Sequence, residues 1–175
     1  MTIRVFLKMY RMIKMRQNPV DYARSLGVHI GVNCRILAMT DGTFGSEPYL
    51  VNLGNHVSVT AGVSFVTHDG GVWLFRDKYP EIEIFAPISV GNNVFIGIKS
   101  IIMPGVTIGN DCIIAAGSIV TRSVPDGSVI GGIPAKLIKS VDDYRKKIDK
   151  TAFYIKGLSA EEKKLKLLRH FANKE

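Results

Sequence analysis

Residues 90–120 read VGNNVFIGIKSIIMPGVTIGNDCIIAAGSIV, and this stretch decides the fold because it repeats every six residues. One apolar residue opens each repeat: Val90, Ile96, Ile102, Ile108, Ile114 and Val120. A helix with 3.6 residues per turn cannot keep this register over the stretch, and a simple strand alternates every two residues. The pattern therefore predicts a coil of three short strands per turn, in which the opening residues point inward and stack.

The same phase continues upstream in five further apolar residues: Ile30, Ile36, Leu53, Val59 and Phe65. Glycine follows five of the eleven inward positions, and small residues recur four positions after most of them. We expect the small residues to let the backbone turn each corner, and the glycines to supply the positive φ that some corners need. Stacked turns would share one core, because a single turn cannot bury its apolar face alone.

The register breaks at two places, one short and one long. One residue is missing between Ile36 and Leu53, and the insert 69–86 separates Phe65 from the next repeat. Loops that interrupt regular structure often carry function. Because the insert holds the chain's only tryptophan, Trp73, the sequence predicts a functional lid or a substrate platform here rather than a disordered segment.

The N-terminal residues 3–16 have the pattern of an amphipathic helix, with apolar residues on one face and basic residues elsewhere. Two interpretations stay open. The helix could cap the exposed edge of the first turn, which would make residues 1–24 a helical cap. Alternatively, it could lie on an acidic membrane surface.

The C-terminal residues 140–175 are predicted to form a helical extension. Ser140–Asp143 and Ser159–Glu162 have the spacing of capping boxes, in which a serine and an acidic residue three positions later satisfy each other's backbone amides. Two helices are therefore expected after a repeat domain that covers residues 25–139.

Composition and charge exclude several classes of protein. The chain has 175 residues, 46% of them hydrophobic, so it is neither disordered nor short of a core. Its net charge of +8 is concentrated at the ends, with +5 in residues 1–30 and +4 in residues 140–175, against −1 between them. No aromatic or helical reading elements accompany a basic stripe, which argues against nucleic acid. An anionic small molecule or an anionic membrane surface is the better partner.

The location predicted from the sequence is cytoplasmic, with contact at the inner face of the membrane as an option. Charged residues interrupt the N-terminal apolar stretch, unlike a secretory signal. No apolar run reaches the ~18 residues of a spanning helix. The two cysteines, Cys34 and Cys112, cannot form a disulfide framework.

Four motifs together resemble the hexapeptide-repeat acyltransferases: VGNNVFIG at 90–97, PGVTIG at 104–109, AGSIVT at 116–121 and GGIPAK at 131–136. Within that family the chain is most similar to the maltose/galactoside acetyltransferases and the O-antigen and capsule O-acetyltransferases, over about residues 25–140. The resemblance implies an all-β solenoid, a left-handed parallel β-helix with helices at its ends, assembled as a homotrimer with active sites between subunits. The left-handed winding runs against the general preference for right-handed crossovers.

The resemblance also implies acetyl-CoA as the co-substrate, with no permanently bound cofactor and no metal. The residue that matches the family's general base is His68, in the sequence Val66-Thr67-His68-Asp69-Gly70. An alcohol is a poor nucleophile until a base removes its proton, and a neutral imidazole is available near pH 7. Neither cysteine matches a family nucleophile, so direct transfer is expected. The alternative for His68 is a loop histidine that only caps a strand.

In similar enzymes CoA lies in a groove between two subunits, and the matching residues are Gly97, Ile98, Ala116, Thr121, Arg122, Lys136 and Lys139. The backbone near Gly97 and Ile98 would donate to the tetrahedral oxyanion. Similar enzymes carry serine at the position of Ile98, so only the backbone amide of Ile98 is expected to act. Lys136 and Lys139 would meet the CoA phosphates, or be solvated charges only.

On the acceptor side, Glu47 matches an acidic sugar-binding residue of the maltose/galactoside group. It could bind sugar hydroxyls, or orient His68 across the trimer interface. Trp73 could form a sugar platform, and Asp69 is a weaker candidate for orienting His68.

The leading hypothesis is an acetyl-CoA-dependent O-acetyltransferase that acts on a sugar hydroxyl, in a surface polysaccharide or its precursor. Three alternatives remain open. One is N-acetylation of an amino sugar or an antibiotic-like amine on the same fold. Another is a zinc enzyme, although the spacing of His29, His56 and His68 does not match the three-histidine set of that family. The last is a non-catalytic scaffold with basic ends.

Overall fold

The computed structural model describes residues 3–172, in which the chain forms four α-helices and many very short strands. The helices are α1 (Ile3–Gln17), α2 (Pro19–Ser25), α3 (Val141–Thr151) and α4 (Ala160–Ala172). The strands are β1 (His29–Ile30), β2 (Arg35–Ile36), β3 (Val51–Leu53), β4 (Ser58–Val59), β5 (Ser64–Phe65), β6 (Ile88–Val90), β7 (Phe95–Ile96), β8 (Ile101–Ile102), β9 (Thr107–Ile108), β10 (Ile113–Ile114), β11 (Ile119–Val120), β12 (Ser128–Gly132) and β13 (Ala135–Ser140).

Successive strands of the repeat are distributed over three parallel sheets. The first sheet has the order β1-β3-β6-β9, the second β13-β12-β10-β7-β4-β2, and the third β11-β8-β5. Val90 pairs with Ile108, and Ile96 with Ile114, so partners lie 18 residues apart, or three six-residue repeats. This register confirms the predicted repeat of three parallel strands, and the hand of its winding stays a prediction.

The core consists of the apolar residues that open each repeat. All eleven residues predicted to point inward are buried, and none of them is more than 7% exposed. Burying a Val, Ile, Leu or Phe side chain contributes roughly 1.5–3 kcal/mol relative to leaving it exposed. The six-residue periodicity therefore identified the inward positions correctly.

The glycines that follow the inward residues have a different role from the one expected. None of these five glycines has a positive φ; the corners place it at other residues, some of them non-glycine, such as Asn93 with φ 56°, and some glycine, such as Gly105 with φ 76°. A Cβ on Gly54 would lie 2.6 Å from the carbonyl oxygen of Gly91, and one on Gly91 would lie 2.8 Å from that of Gly109. The expected positive φ is found at the corner glycines Gly62, Gly105 and Gly117, but not at the five glycines after the inward residues, which instead let neighbouring turns approach closely.

Gly91→Ala is therefore expected to destabilise the protein by about 1–3 kcal/mol, because an added methyl group meets backbone atoms that cannot move aside. Gly42→Ala is the matched control, since a Cβ there meets only the Thr40 hydroxyl, at 4.0 Å. Urea unfolding of both variants measures the difference. Equal stability of the two would contradict the close approach.

The end of the repeat departs from the parallel pattern. Strands β12 and β13 pair antiparallel as a hairpin, with Ile130 opposite Leu137 and Gly132 opposite Ala135. The six-residue period contains no signal for this reversal of direction.

Both predicted helix caps are present at the C-terminal helices. The amide of Asp143 donates to Ser140 Oγ at 3.0 Å, and the amide of Glu162 donates to Ser159 Oγ at 3.3 Å. The described residues 145–172 belong to a compact unit of their own, in which the ring of Phe153 packs edge-on against His170, 4.7 Å between centroids.

At the other end, α2 rather than α1 lies against the first strands. Ala23 of α2 is fully buried, and Arg24 donates to the carbonyl oxygens of Ile30 and Gly31 at 3.0 and 2.8 Å. No helix in the described range 3–172 is long and apolar enough to cross a membrane.

Candidate active site

Two stacked phenylalanines set the positions of Glu47 and His68. The rings of Phe44 and Phe65 are parallel within 5°, with centroids 5.2 Å apart, and the amide of Phe65 donates to the carbonyl of Thr43 at 2.9 Å. Phe44 therefore occupies the first turn's position in the third sheet. Glu47 and His68 each follow their phenylalanine by three residues. The stacking of turns thus brings an acid and an imidazole side by side.

The carboxylate of Glu47 connects two side chains of the next turn. Its Oε2 lies 3.2 Å from His68 Nδ1 and accepts a 2.6 Å bond from the hydroxyl of Thr67, which is fully buried. The contact lies within one chain, whereas the sequence analysis considered it across a subunit interface.

The surroundings of Glu47 favour its ionised form. The Thr67 hydroxyl bond is the main cause that lowers the pKa of Glu47, and the nearby His68 ring lowers it further against the opposing effect of burial. An ionised carboxylate can only accept hydrogen bonds, so the His68 nitrogen that faces it, Nδ1, carries the proton. The other ring nitrogen, Nε2, then presents a lone pair and can accept a proton from an acceptor hydroxyl.

The backbone on both sides of His68 is held by the far end of the insert 69–86. The amide of Asp69 donates to the carbonyl of Ile84 at 3.0 Å, and the amide of Ala86 donates to the carbonyl of Thr67 at 2.9 Å. The insert therefore starts and ends on the same short antiparallel bridge, which fixes the backbone that carries His68.

Asp69 does not orient His68 in this structure. Its Oδ1 accepts from the amide of Gly71 at 2.8 Å and so caps the 3-10 helix Gly70–Phe75. This helix carries Trp73, whose side chain is 75% exposed.

A cleft of about 420 Å³ opens beside His68, whose side chain is 40% exposed. Six of the residues that line it are Glu47, His68, Trp73, Arg76, Glu83 and Phe85. Arg76 and Glu83 form a 2.6 Å ion pair that joins the two arms of the insert. Arg76, Glu83 and Phe85 were not predicted as site residues, because an insert outside the repeat gives no register from which to place its side chains.

Two of the predicted oxyanion donors differ in availability. The amide of Gly97 already donates to the carbonyl of Ile114 at 2.8 Å, and Gly97 is buried. Ile98 is 50% exposed, and its carbonyl accepts from the amide of Gly117 at 2.8 Å. Of this pair, the amide of Ile98 is therefore the better candidate for an oxyanion.

The remaining donor candidates lie at other places on the repeat. Ala116 is exposed one turn beyond Ile98, on the corner that precedes the third sheet, whereas Thr121 and Arg122 are exposed on the corner that follows it. Lys136 and Lys139 lie on β13, the first exposed and the second half-buried. Within the described part of the chain, none of the predicted CoA-binding residues lines the cleft beside His68.

The zinc alternative finds no ligand set in the structure. His56 Nδ1 lies 2.8 Å from Asn93 Oδ1 at an exposed corner. Across residues 3–172, no three His, Cys, Asp or Glu side chains come together in a way that could hold a metal ion.

An acid–imidazole pair in an open cleft of a parallel repeat fold is the arrangement of an enzyme that moves a proton to or from a bound substrate. Comparison with known proteins shows which family of enzymes has this fold. Residues 87–122 match the family model described as "Hexapeptide repeat of succinyl-transferase". Protein CapG of Staphylococcus aureus is 56% identical over 164 residues, which cover 94% of this chain and 95% of that protein.

A second relative and a solved structure are also similar to this chain. Galactoside O-acetyltransferase of Escherichia coli (strain K12) is 36% identical over 125 residues, 71% of this chain and 60% of that protein. The crystal structure of hexapeptide-repeat acetyltransferase VCA0836 from Vibrio cholerae O1 biovar eltor, complexed with acetyl coenzyme A, has a TM-score of 0.55 and 24% identity over 75% of this chain and 83% of that chain. This structural similarity shows that the two proteins share a fold.

The chain belongs to the hexapeptide-repeat acetyltransferase family. It is an acyltransferase, and the resemblance drawn from its repeat motifs is confirmed.

Proposed function

We propose that this protein is an acetyl-CoA-dependent O-acetyltransferase that acts on a sugar hydroxyl, in a surface polysaccharide or its precursor. The observation that carries the proposal is the Glu47–His68 pair at 3.2 Å beside an open cleft. A relative that is 36% identical is a galactoside O-acetyltransferase, which supports a sugar hydroxyl as the acceptor. The acetyl-CoA complex of a protein with this fold supports the donor.

In the proposed mechanism, His68 acts as general base. Nε2 removes the proton from the acceptor hydroxyl as its oxygen attacks the thioester carbonyl. The Ile98 amide donates to the oxygen that becomes negative. When the carbon–sulfur bond breaks, the imidazolium returns the proton to the departing CoA thiolate. Glu47 accepts the Nδ1 proton throughout, and so stabilises the imidazolium that forms between the two steps.

We propose that the complete site lies between subunits of a homotrimer with left-handed β-helices. The basis of this proposal is that the donor-side residues and the general base lie on different sides of the third sheet. Ile98 and Ala116 lie on the corner before that sheet, and His68 follows it. A second chain could bring its donor corner to this His68. Light scattering combined with an activity assay tests the assembly, because a stable monomer with full activity would contradict it.

The acceptor and the CoA phosphates are proposed to meet different groups. Trp73 lies at the rim and is 75% exposed, so its flat apolar face is available to a sugar ring. Arg122, Lys136 and Lys139 offer cations to the pyrophosphate and 3′-phosphate of CoA. We propose a cytoplasmic reaction, which suits the two free cysteines, Cys34 and Cys112.

Turnover of acetyl-CoA on a panel of glycans tests the proposal. The expected product is an O-acetyl ester, which mild base removes, whereas an amide survives that treatment. Mass spectra of the product before and after base distinguish the two. A base-stable product would replace the hydroxyl with an amine as the acceptor, and absence of turnover with every acceptor would contradict the enzyme assignment.

Glu47→Gln is expected to lower kcat about three- to tenfold, because the side chain that faces His68 loses its negative charge, and solvent at the 40% exposed His68 screens that charge only in part. The amide oxygen can keep the Thr67 bond, so the shape of the site is retained. KM for acetyl-CoA should stay unchanged, since Glu47 belongs to the acceptor side. Steady-state kinetics with varied acetyl-CoA measures both values, and an unchanged kcat would exclude a positioning role.

The same variant should change how stability depends on pH. The pKa of Glu47 is lowered from its ordinary value near 4.5. Its ionised form therefore stabilises the fold above that value, and this contribution is lost as pH falls through the lowered pKa. The stability difference between wild type and Glu47→Gln should be present at about pH 5 and shrink below about pH 4. Urea unfolding across this range measures it.

A further inference from the structure

Helix α1 has an unusual combination of residues for a surface helix. Its 15 residues, IRVFLKMYRMIKMRQ, include five basic and no acidic side chains. At 100° per residue, Val5, Met9, Met12 and Ile13 fall within an arc of about 100°, and Arg11 lies on the opposite side. The helix is therefore amphipathic: Arg11 and Lys14 lie opposite the arc, whereas Arg16 lies within the arc at the C-terminal end of the helix.

The apolar arc of α1 is exposed. Val5, Met9, Met12 and Ile13 are each between 46% and 50% exposed. Among the helix residues whose side chains are described, only Met15 is buried, and it lies about 110° from the centre of the arc. The helix thus presents its apolar side to solvent, which is costly unless something covers it.

Covering the first turn of the repeat does not require α1. Helix α2 already does so, through the buried Ala23 and the bonds of Arg24 to the carbonyls of Ile30 and Gly31. Helix α1 contacts α2. Its apolar arc is therefore left for a partner outside the described chain.

We propose that α1 docks the protein on an anionic lipid surface, with Val5, Met9, Met12 and Ile13 inserted at the boundary between headgroups and acyl chains. Charge complementarity selects this occupant, because a helix with five cations and no anion matches a surface of acidic headgroups. The same charges would repel a second copy of the helix. At 15 residues the helix is shorter than a membrane-spanning one, so it lies on the surface rather than crossing it.

Sedimentation with lipid vesicles tests the proposal. The full chain should bind vesicles of mixed phosphatidylglycerol and phosphatidylcholine, and bind pure phosphatidylcholine at least about tenfold more weakly. In 1 M salt, where the screening length falls to about 3 Å, binding to the mixed vesicles should weaken similarly. Equal binding to both vesicle types would overturn the proposal.

Variants locate the surface. Met9→Asp should reduce binding at least about tenfold, and Arg11→Gln about fivefold, the contribution of one cation near an anionic surface. The matched controls are on α4: Leu165→Asp, at a side chain that is also 50% exposed, and Lys164→Gln, also exposed. Both controls should bind like wild type. Loss of binding in the controls but not in Met9→Asp would assign the surface to α4 and overturn the proposal.

Light scattering of the same variants separates lipid docking from subunit contact. If the arc packs on another copy, Met9→Asp changes the molecular mass, and this too would overturn the proposal. Met9→Asp should keep the wild-type mass and acetyl transfer to a soluble acceptor. Vesicle binding needs no turnover, so its outcome is independent of the proposed activity.

Discussion

Replacing His68 by alanine is expected to lower kcat for acetyl transfer by about 10²–10⁴-fold, the usual contribution of a general base. We expect kcat to decrease in this variant, and KM for acetyl-CoA to change little. The physical reason is that the other carboxylates lining the cleft are engaged elsewhere: Glu47 accepts from Thr67, Glu83 is paired with Arg76, and Asp69 accepts from the amide of Gly71. Initial rates with a glycan acceptor measure the effect.

His56→Ala is the matched control for this experiment. His56 is exposed at a corner of the repeat, and its Nδ1 bonds the amide oxygen of Asn93 at 2.8 Å rather than a carboxylate. Its loss should leave kcat within about twofold, because a surface substitution usually changes stability by no more than about 0.5 kcal/mol. If His68→Ala retains the wild-type rate, or if His56→Ala loses as much activity, the assignment of His68 as general base is wrong.

The repeat could be predicted from the sequence because its signal is local and periodic. An inward residue recurs every sixth position whatever the rest of the chain does, so burial, sheet pairing and the 18-residue register all follow from one count. The caps at Ser140 and Ser159 were equally local, since a capping box is contained in four residues. His68 was found through the resemblance and through its place at a break in the register.

Contacts between turns were harder to predict. The glycine after each inward residue is required by the backbone of the next turn, and a single turn contains no information about that neighbour. The prediction of one missing residue between Ile36 and Leu53 was wrong: Ile30 pairs with Leu53, 23 residues away, so the first turn holds five residues more than the regular 18, and this insertion hid Phe44 as its inward residue. The sequence does contain a signal for this position, because Phe44 precedes Glu47 by the same three residues that separate Phe65 from His68. The ion pair of Arg76 with Glu83 depends on the fold of an insert that has no repeat.

Phe65→Ala is expected to destabilise the protein by about 3–5 kcal/mol, the usual cost of removing a buried phenylalanine. Phe65 is fully buried, and its ring stacks on Phe44 at 5.2 Å. Phe95→Ala is the control, because Phe95 also lies in a two-residue strand but is 40% exposed. Its loss should cost about 1 kcal/mol or less, in proportion to its smaller burial. Urea unfolding compares the two.

Activity measured where both variants remain folded tests more than stability. The Phe44–Phe65 stack fixes the separation of the two turns that carry Glu47 and His68, so Phe65→Ala should lower kcat even in the folded enzyme, by about tenfold or more, since small displacements of a catalytic group cost large factors. Phe65→Leu fills most of the space without the aromatic stack, and should recover stability more than kcat. If Phe65→Ala and Phe95→Ala show the same kcat when folded, the stack serves the core alone, and the geometry of the acid–imidazole pair must be held by Thr67 and the bridge at the base of the insert.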